Sequence, residues 1–439
     1  MSKLYGSLLH IKLGEINSLV ISSPELACQV MKTQDLNFAS RPPIAASEAL
    51  LYNSSDIGFA PYGTYWRELR KICTLELLSF KRVKSFHSLR EEEGNSLLQK
   101  ILLTPHGTPV NLTKMLLILT STAITKAAFG KECVHQQKFL SAMRKGLELA
   151  SYFSLMDLFP SLGFLRMFLS LNFKMKRVHR ELDSILNDII EEHLEKKAGG
   201  DDMEDDLVDV LLRLRETGQL EIHLTVDNIK AVILGLFVAG TDTTASSIEW
   251  AMTELVRHPE AMRKAQEEVR KSVKGRSKIE MIHMNEMKYL QQVIKETLRL
   301  HPPVPLLVPR VCRETTKVSE YLISEGTHVI INAWAIGRDP KYWKDPESFQ
   351  PERFERSEID FKGANFEFIP FGAGRRMCPG MPFGLAGVEL WLAQLLLHFD
   401  WEMPDGRKSE ELDISEASGV ILRRKNDLCL LAFPYKSVL

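Results

Sequence analysis

Phe371-Gly372-Ala373-Gly374-Arg375-Arg376-Met377-Cys378-Pro379-Gly380 stands directly ahead of a long apolar helical run that opens at Met381. A sulfur at the mouth of a helix faces unpaired backbone N–H groups and the positive end of the helix dipole, which favour a thiolate over a thiol. Gly374 and Gly380 have no Cβ, so the loop can fold tightly and come close to a flat macrocycle. Arg376, two positions before the sulfur, is placed to meet a carboxylate of such a ring as a charge-assisted pair. Together these features predict a socket for a haem iron held by Cys378. A lone cysteine is more often a buried free thiol beside a turn, and only the ten-residue surroundings set that alternative aside.

The string resembles the cysteine-ligand loop of the cytochromes P-450, whose pattern is Phe, two residues, Gly, one, Arg, one, Cys, one, Gly. Phe371, Gly374, Arg376, Cys378 and Gly380 fill all five fixed positions. From about Leu4 to Phe433 the chain resembles a plant microsomal member of that family, close in character to terpenoid hydroxylases. The resemblance implies a mainly α fold with small β-sheets, one haem-containing catalytic domain over 1–439, and heme b (iron protoporphyrin IX) with Cys378 as axial ligand. It also implies O2 as co-substrate, electrons from NADPH through an NADPH-cytochrome P-450 reductase, and a place on the cytosolic face of the endoplasmic reticulum membrane. Family members in plants carry an N-terminal anchor and a Pro-rich hinge that this sequence lacks, so the chain as given is expected not to span a membrane. A monomer is expected.

Lys+Arg number 56 against 57 Asp+Glu, a net charge of -1, so no global field points to nucleic acid. With 439 residues, 44% hydrophobic and 26% charged, the chain can bury a large core. Length alone suggests roughly two to three domains, yet no Gly/Ser/Pro-rich linker divides the sequence, and a single body is simpler. Cys28, Cys73, Cys133, Cys312, Cys378 and Cys429 form no C-x-x-C pair and no zinc spacing, which points to reduced thiols. In such a compartment the N-x-S/T matches at Asn53 and Asn111 are chance occurrences. No run reaches roughly 18 consecutive apolar residues, the length expected of a spanning helix. Residues 153–177 are apolar through Phe153, Phe159, Phe164, Leu165, Phe168, Leu169 and Leu171, then basic at Lys174, Lys176 and Arg177. They read either as a segment in peripheral contact with lipid or as core helices around Pro160.

Alternation over Leu9–Leu13 and Leu19–Ile21, with a turn at Gly14, predicts two strands. Ser23-Pro24-Glu25 predicts a helix start by cap and first-turn proline. From Trp66 to about Leu300 the periodicity is mostly helical, broken at Pro105-His106-Gly107 and at the acidic stretch Gly199-Gly200-Asp201-Asp202, an expected exposed loop. Strand patterns return over 317–323 and 328–331. No repeat of fixed period is present, which excludes a solenoid.

Thr225 is placed to cap a helix running to Arg257, where His258-Pro259 stops it, for a length of roughly 50 Å. Midway it carries Ala239-Gly240-Thr241-Asp242-Thr243-Thr244. An acid beside a hydroxyl is costly to bury in an apolar helix without a partner or a purpose; the alternative is Thr side chains bonding back to carbonyls. The string resembles the family's oxygen-activation motif, which implies that Thr243 hydrogen-bonds dioxygen and that Asp242 relays protons. Glu296 and Arg299 lie three apart on one helical face, a pair worth about 0.2–0.5 kcal/mol on an ordinary surface. Their resemblance to the family's Glu-x-x-Arg implies a structural ion network with Arg353. Trp66 and Arg70, four apart on one face, resemble the family's haem-propionate partners, with Arg310 as another; each arginine taken alone reads as surface.

Arg67, Lys71, Lys81, Arg82, Lys84 and Arg375 read as a solvated face or as a basic docking surface for the reductase. The resemblance puts a pocket for a small lipophilic substrate at Leu51, Phe59, Phe237, Ala239, Leu306, Leu307 and Val420, all of which could equally be core. A reductase-independent rearrangement enzyme and an inactive truncated haem-binding protein are the alternative functions. The Asp242–Thr243 pair speaks against the first.

Overall fold

The computed structural model describes residues 2–130, 136–151, 155–162, 170–199, 206–218, 220–273, 278–406 and 408–435. The helices that position the site are α1 (Thr64–Ile72), α2 (His87–Leu102), α3 (Leu112–Phe129), α4 (Val226–Arg257), α5 (Lys288–Leu300) and α6 (Met381–His398). The strands used below are β1 (Leu8–Leu13), β2 (Ile16–Ile21), β3 (Arg310–Val311), β4 (His328–Ile331), β5 (Glu416–Ala417) and β6 (Arg423–Arg424). The architecture is mainly helical with small sheets, as the sequence predicts.

α4 spans 32 residues and starts where a cap makes starting favourable. Thr225 Oγ1 accepts from the Asn228 N–H at 3.2 Å, while the Asn228 side chain accepts from the Thr225 N–H at 3.0 Å. It ends at His258, before Pro259, which has no N–H to continue the ladder. Ile248, Ala251, Met252 and Leu255 of α4 join Leu112 and Leu116 of α3, Leu290 and Val293 of α5, and Leu392 and Leu396 of α6 in one apolar cluster. Each of the larger side chains, Ala251 excepted, contributes about 1.5–3 kcal/mol by leaving water. By windowed hydropathy α3, α4 and α6 are long and apolar enough to cross a bilayer, although none is an uninterrupted apolar run. In this fold 67%, 67% and 56% of those windows are buried, so their apolar surface meets protein.

β1 and β2 form the expected hairpin, with Leu8 opposite Ile21 and Leu13 opposite Ile16. Gly14 turns it at φ 62°, and a Cβ there would fall 2.3 Å from the Leu158 carbonyl oxygen. That approach docks part of the 153–177 segment: the Glu15 N–H donates to Leu158 O at 2.7 Å, and Ser161 N–H donates to the Glu15 carboxylate at 3.0 Å. Phe153, Phe164, Leu165, Phe168, Leu169, Cys133 and the acidic residues Asp201 and Asp202 lie outside the described residues. β4 pairs in parallel with β2, Ser18 opposite His328, and antiparallel with β3, giving the order β1-β2-β4-β3. The expectation of a strand at 328–331 holds; its parallel pairing with β2 joins the start of the chain to a segment some three hundred residues later.

Glu296, Arg299 and Arg353 lie together in one ion network. Arg299 grips Glu296 through two bonds of 2.7 Å, and Arg353 Nε donates to the same carboxylate at 2.9 Å. The remaining guanidinium hydrogens of Arg299 go to the carbonyls of Gly337, Pro346 and Ser348. The Gln350 N–H donates to Glu296 at 2.8 Å. Both Glu296 and Arg299 are essentially without solvent contact, so each depends on the other for neutralisation. Replacing Glu296 by Gln is expected to cost about 3–5 kcal/mol, the usual penalty for stranding one member of a buried ion pair. Denaturant unfolding of both proteins measures it.

Candidate active site

The network reaches the ligand loop through a run of tilted and edge-on aromatic contacts. Arg299 lies over the Trp343 ring at 5.3 Å, and ring contacts of 5.4–6.1 Å then run through Phe354, Phe368 and Phe361 to Phe371. The loop closes where the Cys378 N–H donates to Phe371 O at 2.9 Å. Gly372 and Gly374 both hold positive φ, 70° and 69°. A Cβ on Gly374 would sit 2.0 Å from Met31 O, so no other residue fits. Gly372, passed over in the sequence, makes the same turn possible. Gly380 is different: its φ is -86°, and a Cβ there would lie 3.9 Å from the Cys378 sulfur. Its glycine leaves room beside the sulfur rather than easing the turn.

Cys378 sits half-buried just before α6. Burial pushes its thiol up; the Gly380 N–H, the Arg70 guanidinium and the Met381 N–H pull it down without prevailing. Without a metal, desolvation outweighs these three donors at the helix mouth. A coordinated metal deprotonates a thiol outright, and the same three donors then stabilise the anion.

Around this loop the chain gathers cations faster than anions. Arg70 donates to Met377 O at 2.6 Å. Arg376 lies over the Trp66 ring at 4.1 Å and donates to the Ala39 and Ala60 carbonyls. Arg310 pairs with Asp35 at 3.1 Å and donates to Ala373 O at 3.0 Å. Arg41, which the sequence reading did not single out, donates to the carbonyls of Gly58, Val308 and Pro309. Burial, with Arg310 and Arg376 nearby, pushes Arg41 well below the usual arginine range. Burial and then Arg310 bring Arg376 down to about 9. The acids that act on these guanidinium groups are Asp35 and Asp56, and burial raises Asp56 to about 6. A cluster with more cations than anions beside a cysteine sulfur fits haem, whose two carboxylates would complete the charge.

α4 is buried nearly all round, but Leu236, Ala239, Gly240 and Thr243 form an opened stripe at i, i+3, i+4 and i+7. Thr243 Oγ1 donates back to the Ala239 carbonyl, so the back-bonding reading and the open position coexist. Gly384 of α6 comes within a Cβ contact, 3.6 Å, of Thr244 Oγ1, which brings the two motif-bearing helices together. At Gly240 a Cβ would fall 2.7 Å from Ile124 Cδ1, so this glycine serves the packing of α3 against α4. Asp242 points away from the stripe: it is buried and pairs with Arg423 of β6 at 2.5 Å. Burial raises its pKa, and Arg423 and Arg144 oppose that.

Residues 1–430 match the family described as Cytochrome P450. The chain belongs to the cytochrome P450 family. Among relatives it is 50% identical to the desmethyl-deoxy-podophyllotoxin synthase of Sinopodophyllum hexandrum, over 98% of this chain and 85% of that one. It is 48% identical to the premnaspirodiene oxygenase of Hyoscyamus muticus, over 99% and 88%. The costunolide synthase of Cichorium intybus shares 47%, over 100% and 88%. A zebra fish cytochrome P450 solved with progesterone superposes with a TM-score of 0.86 at 24% identity, covering 99% of this chain and 97% of that one, and shows the shared fold. This P450 is a haem-thiolate monooxygenase by family.

Several pocket positions inferred for a P450 sit elsewhere. Phe237 is packed between Phe129 and Phe139, with ring centroids at 5.4 and 4.9 Å, and Leu51 is buried in the same apolar cluster; both are core. Leu236 is the neighbour that faces the stripe, which strict helical phasing from Thr243 would have found. Phe59 is half-buried, Ala239 is exposed, and Leu306 and Val420 are 47% and 53% exposed. Leu307 takes φ 50°, a left-handed conformation rare for leucine, and its Cδ1 lies 3.8 Å from where a Gly372 Cβ would be. The Leu422 peptide ties three of the pocket segments together: its N–H donates to Pro303 O at 2.9 Å, and its carbonyl accepts from Ser246 at 2.5 Å and Trp250 at 3.2 Å. Replacing Gly374 by Ala is expected to displace the loop from Met31 and leave most of the protein without haem. Haem absorbance per chain measures this against a parallel Arg375→Ala control that should load normally.

Proposed function

We propose that this P450 inserts one oxygen atom from O2 into a C–H bond of a lipophilic small molecule, a terpenoid or related specialised metabolite. Electrons would come from NADPH through an NADPH-cytochrome P-450 reductase, at the cytosolic face of the endoplasmic reticulum membrane. The observation that carries the reading is the Cys378 sulfur at the start of α6, in a fold whose long central helix opens midway along Leu236, Ala239, Gly240 and Thr243. Relatives named premnaspirodiene oxygenase, germacrene A hydroxylase and costunolide synthase support the substrate class.

Cys378 would hold the haem, with Trp66, Arg70, Arg310, Arg376 and Arg41 placed to meet its carboxylates, and the group would supply oxygen activation. The protein's own part is proton supply and orientation. Thr243 Oγ1 lies on the open stripe, where a hydroxyl can accept a proton from one side and donate on the other. Asp242, one residue away on a buried face, takes protons from the solvent side, where Arg423 is partly exposed. The apolar side chains of Phe59, Ala239, Leu306, Leu307 and Val420 position substrate by shape and keep bulk water from the reacting centre.

Cys378→Ser is expected to abolish the thiolate-type spectrum with bound carbon monoxide. Thr243→Ala should keep that spectrum but lower product formed per NADPH on the order of 10²-fold, the scale of a lost general acid–base group. Product formation without NADPH would instead favour a rearrangement enzyme.

The basic surface supports the partner. Arg67, Lys71, Lys81, Lys84 and Arg375 are exposed on α1, the Phe80–Ser85 helix and the ligand loop, beside the exposed side chains of Leu75 and Phe80. Reversing the charge at Lys81 and Arg82 should weaken reductase-supported turnover and flatten its salt dependence while haem content is unchanged. Stopped-flow reduction at several ionic strengths is the measurement.

A further inference from the structure

β6 carries an arginine that the function above uses only as a neighbour. Three successive residues of this strand region dock on α4 at different heights. Leu422 O meets Ser246 and Trp250, Arg423 meets Asp242, and Arg424 Nη1 donates to Thr253 Oγ1 at 3.2 Å while lying 5.8 Å over the Trp250 ring. Cross-strand pairing with Ala417 fixes Arg423 from its other side. The register leaves its guanidinium 38% exposed at one end and 2.5 Å from a carboxylate that is 7% exposed at the other.

We propose that Arg423 is the positioning residue for Asp242, pairing with its carboxylate and keeping it turned off the open stripe so that protons enter α4 from the solvent side. This rests on the monooxygenase reading, because it assigns how that reading's proton donor is paired and aimed. A buried carboxylate without a partner either protonates or turns towards another donor. Thr243, the adjacent hydroxyl, lies about 100° around the helix, so a released Asp242 side chain would compete for the stripe itself. The groups that act on Asp242 are Arg423 from β6 and Arg144 from the helix Gln136–Ser151; only Arg423 is bonded to it. With Arg423 removed, burial is opposed by Arg144 alone and the carboxyl titrates at higher pH.

The test uses the haem-loaded chain as wild type, Arg423→Gln, Arg423→Lys, Asp242→Asn and the Gln/Asn double variant. The infrared stretch of the protonated carboxyl is followed against pH in the resting ferric protein, with Asp242→Asn assigning the band. Product per NADPH is then followed against pH. In Arg423→Gln the band should persist to higher pH, the acid limb of the coupling profile should move the same way, and coupling should fall several-fold; Lys should restore both. A Gln variant with normal haem content but an unmoved band and profile overturns the proposal. Should that variant fail to fold, folding of the double variant supports a stranded acid, and failure of both shows that Arg423 merely docks the hairpin. If the wild type lacks the thiolate spectrum, the monooxygenase reading fails. The infrared comparison, made without turnover, still decides whether Arg423 holds Asp242.

Discussion

Placing a guanidinium where no water reaches obliges the chain to bring carbonyls and a carboxylate to it, and Arg299 does this for the whole rear of the site. Its donors are met by Glu296 on its own helix and by the carbonyls of Gly337, Pro346 and Ser348. Arg353 closes the same carboxylate from outside. Such a network stabilises less by its net energy than by making every other arrangement of those loops leave a charge unpaired. The aromatic contacts from Trp343 to Phe371 carry that constraint to the ligand loop, so Cys378 is placed by packing as much as by local turn chemistry.

The front of the site is built on the opposite principle. At the rear, charges cancel; around Cys378 they are left in surplus. Arg41, Arg310 and Arg376 face Asp35 and Asp56 while Arg70 faces the cysteine sulfurs, and burial depresses each guanidinium rather than letting an acid hold it up. A fold carries such a cost when a ligand removes it, which makes cofactor binding and folding one linked equilibrium.

Much of this was legible in the sequence because it is local. The ligand loop, the Glu296–Arg299 spacing and the Trp66–Arg70 spacing are all contained within a turn or two, and α4 announces both ends through Thr225 and Pro259. Gly374 carries its own reason in its left-handed turn. What failed was either phase or distance. Phe237 is one step off the open face of α4, a difference of about 100° that a hydrophobic residue does not signal. Arg41 and Arg423 look like ordinary surface cations in the sequence, one before a Pro-Pro pair and the other within Arg423-Arg424-Lys425. Their partners lie on elements far away in sequence, as in the parallel pairing of β2 with β4.

The peptide of Leu422 joins the late turn proposed to face substrate to the helix proposed to handle protons, through bonds to Pro303, Ser246 and Trp250. Diversification of such an enzyme towards new guests works chiefly through its loops. Here a change in the late turn that reshapes the cavity also tugs on Arg423, three residues from Val420. New selectivity is thus mechanically tied to wasted oxygen, and variants that remain efficient will be those whose altered turn leaves the register of this hairpin intact.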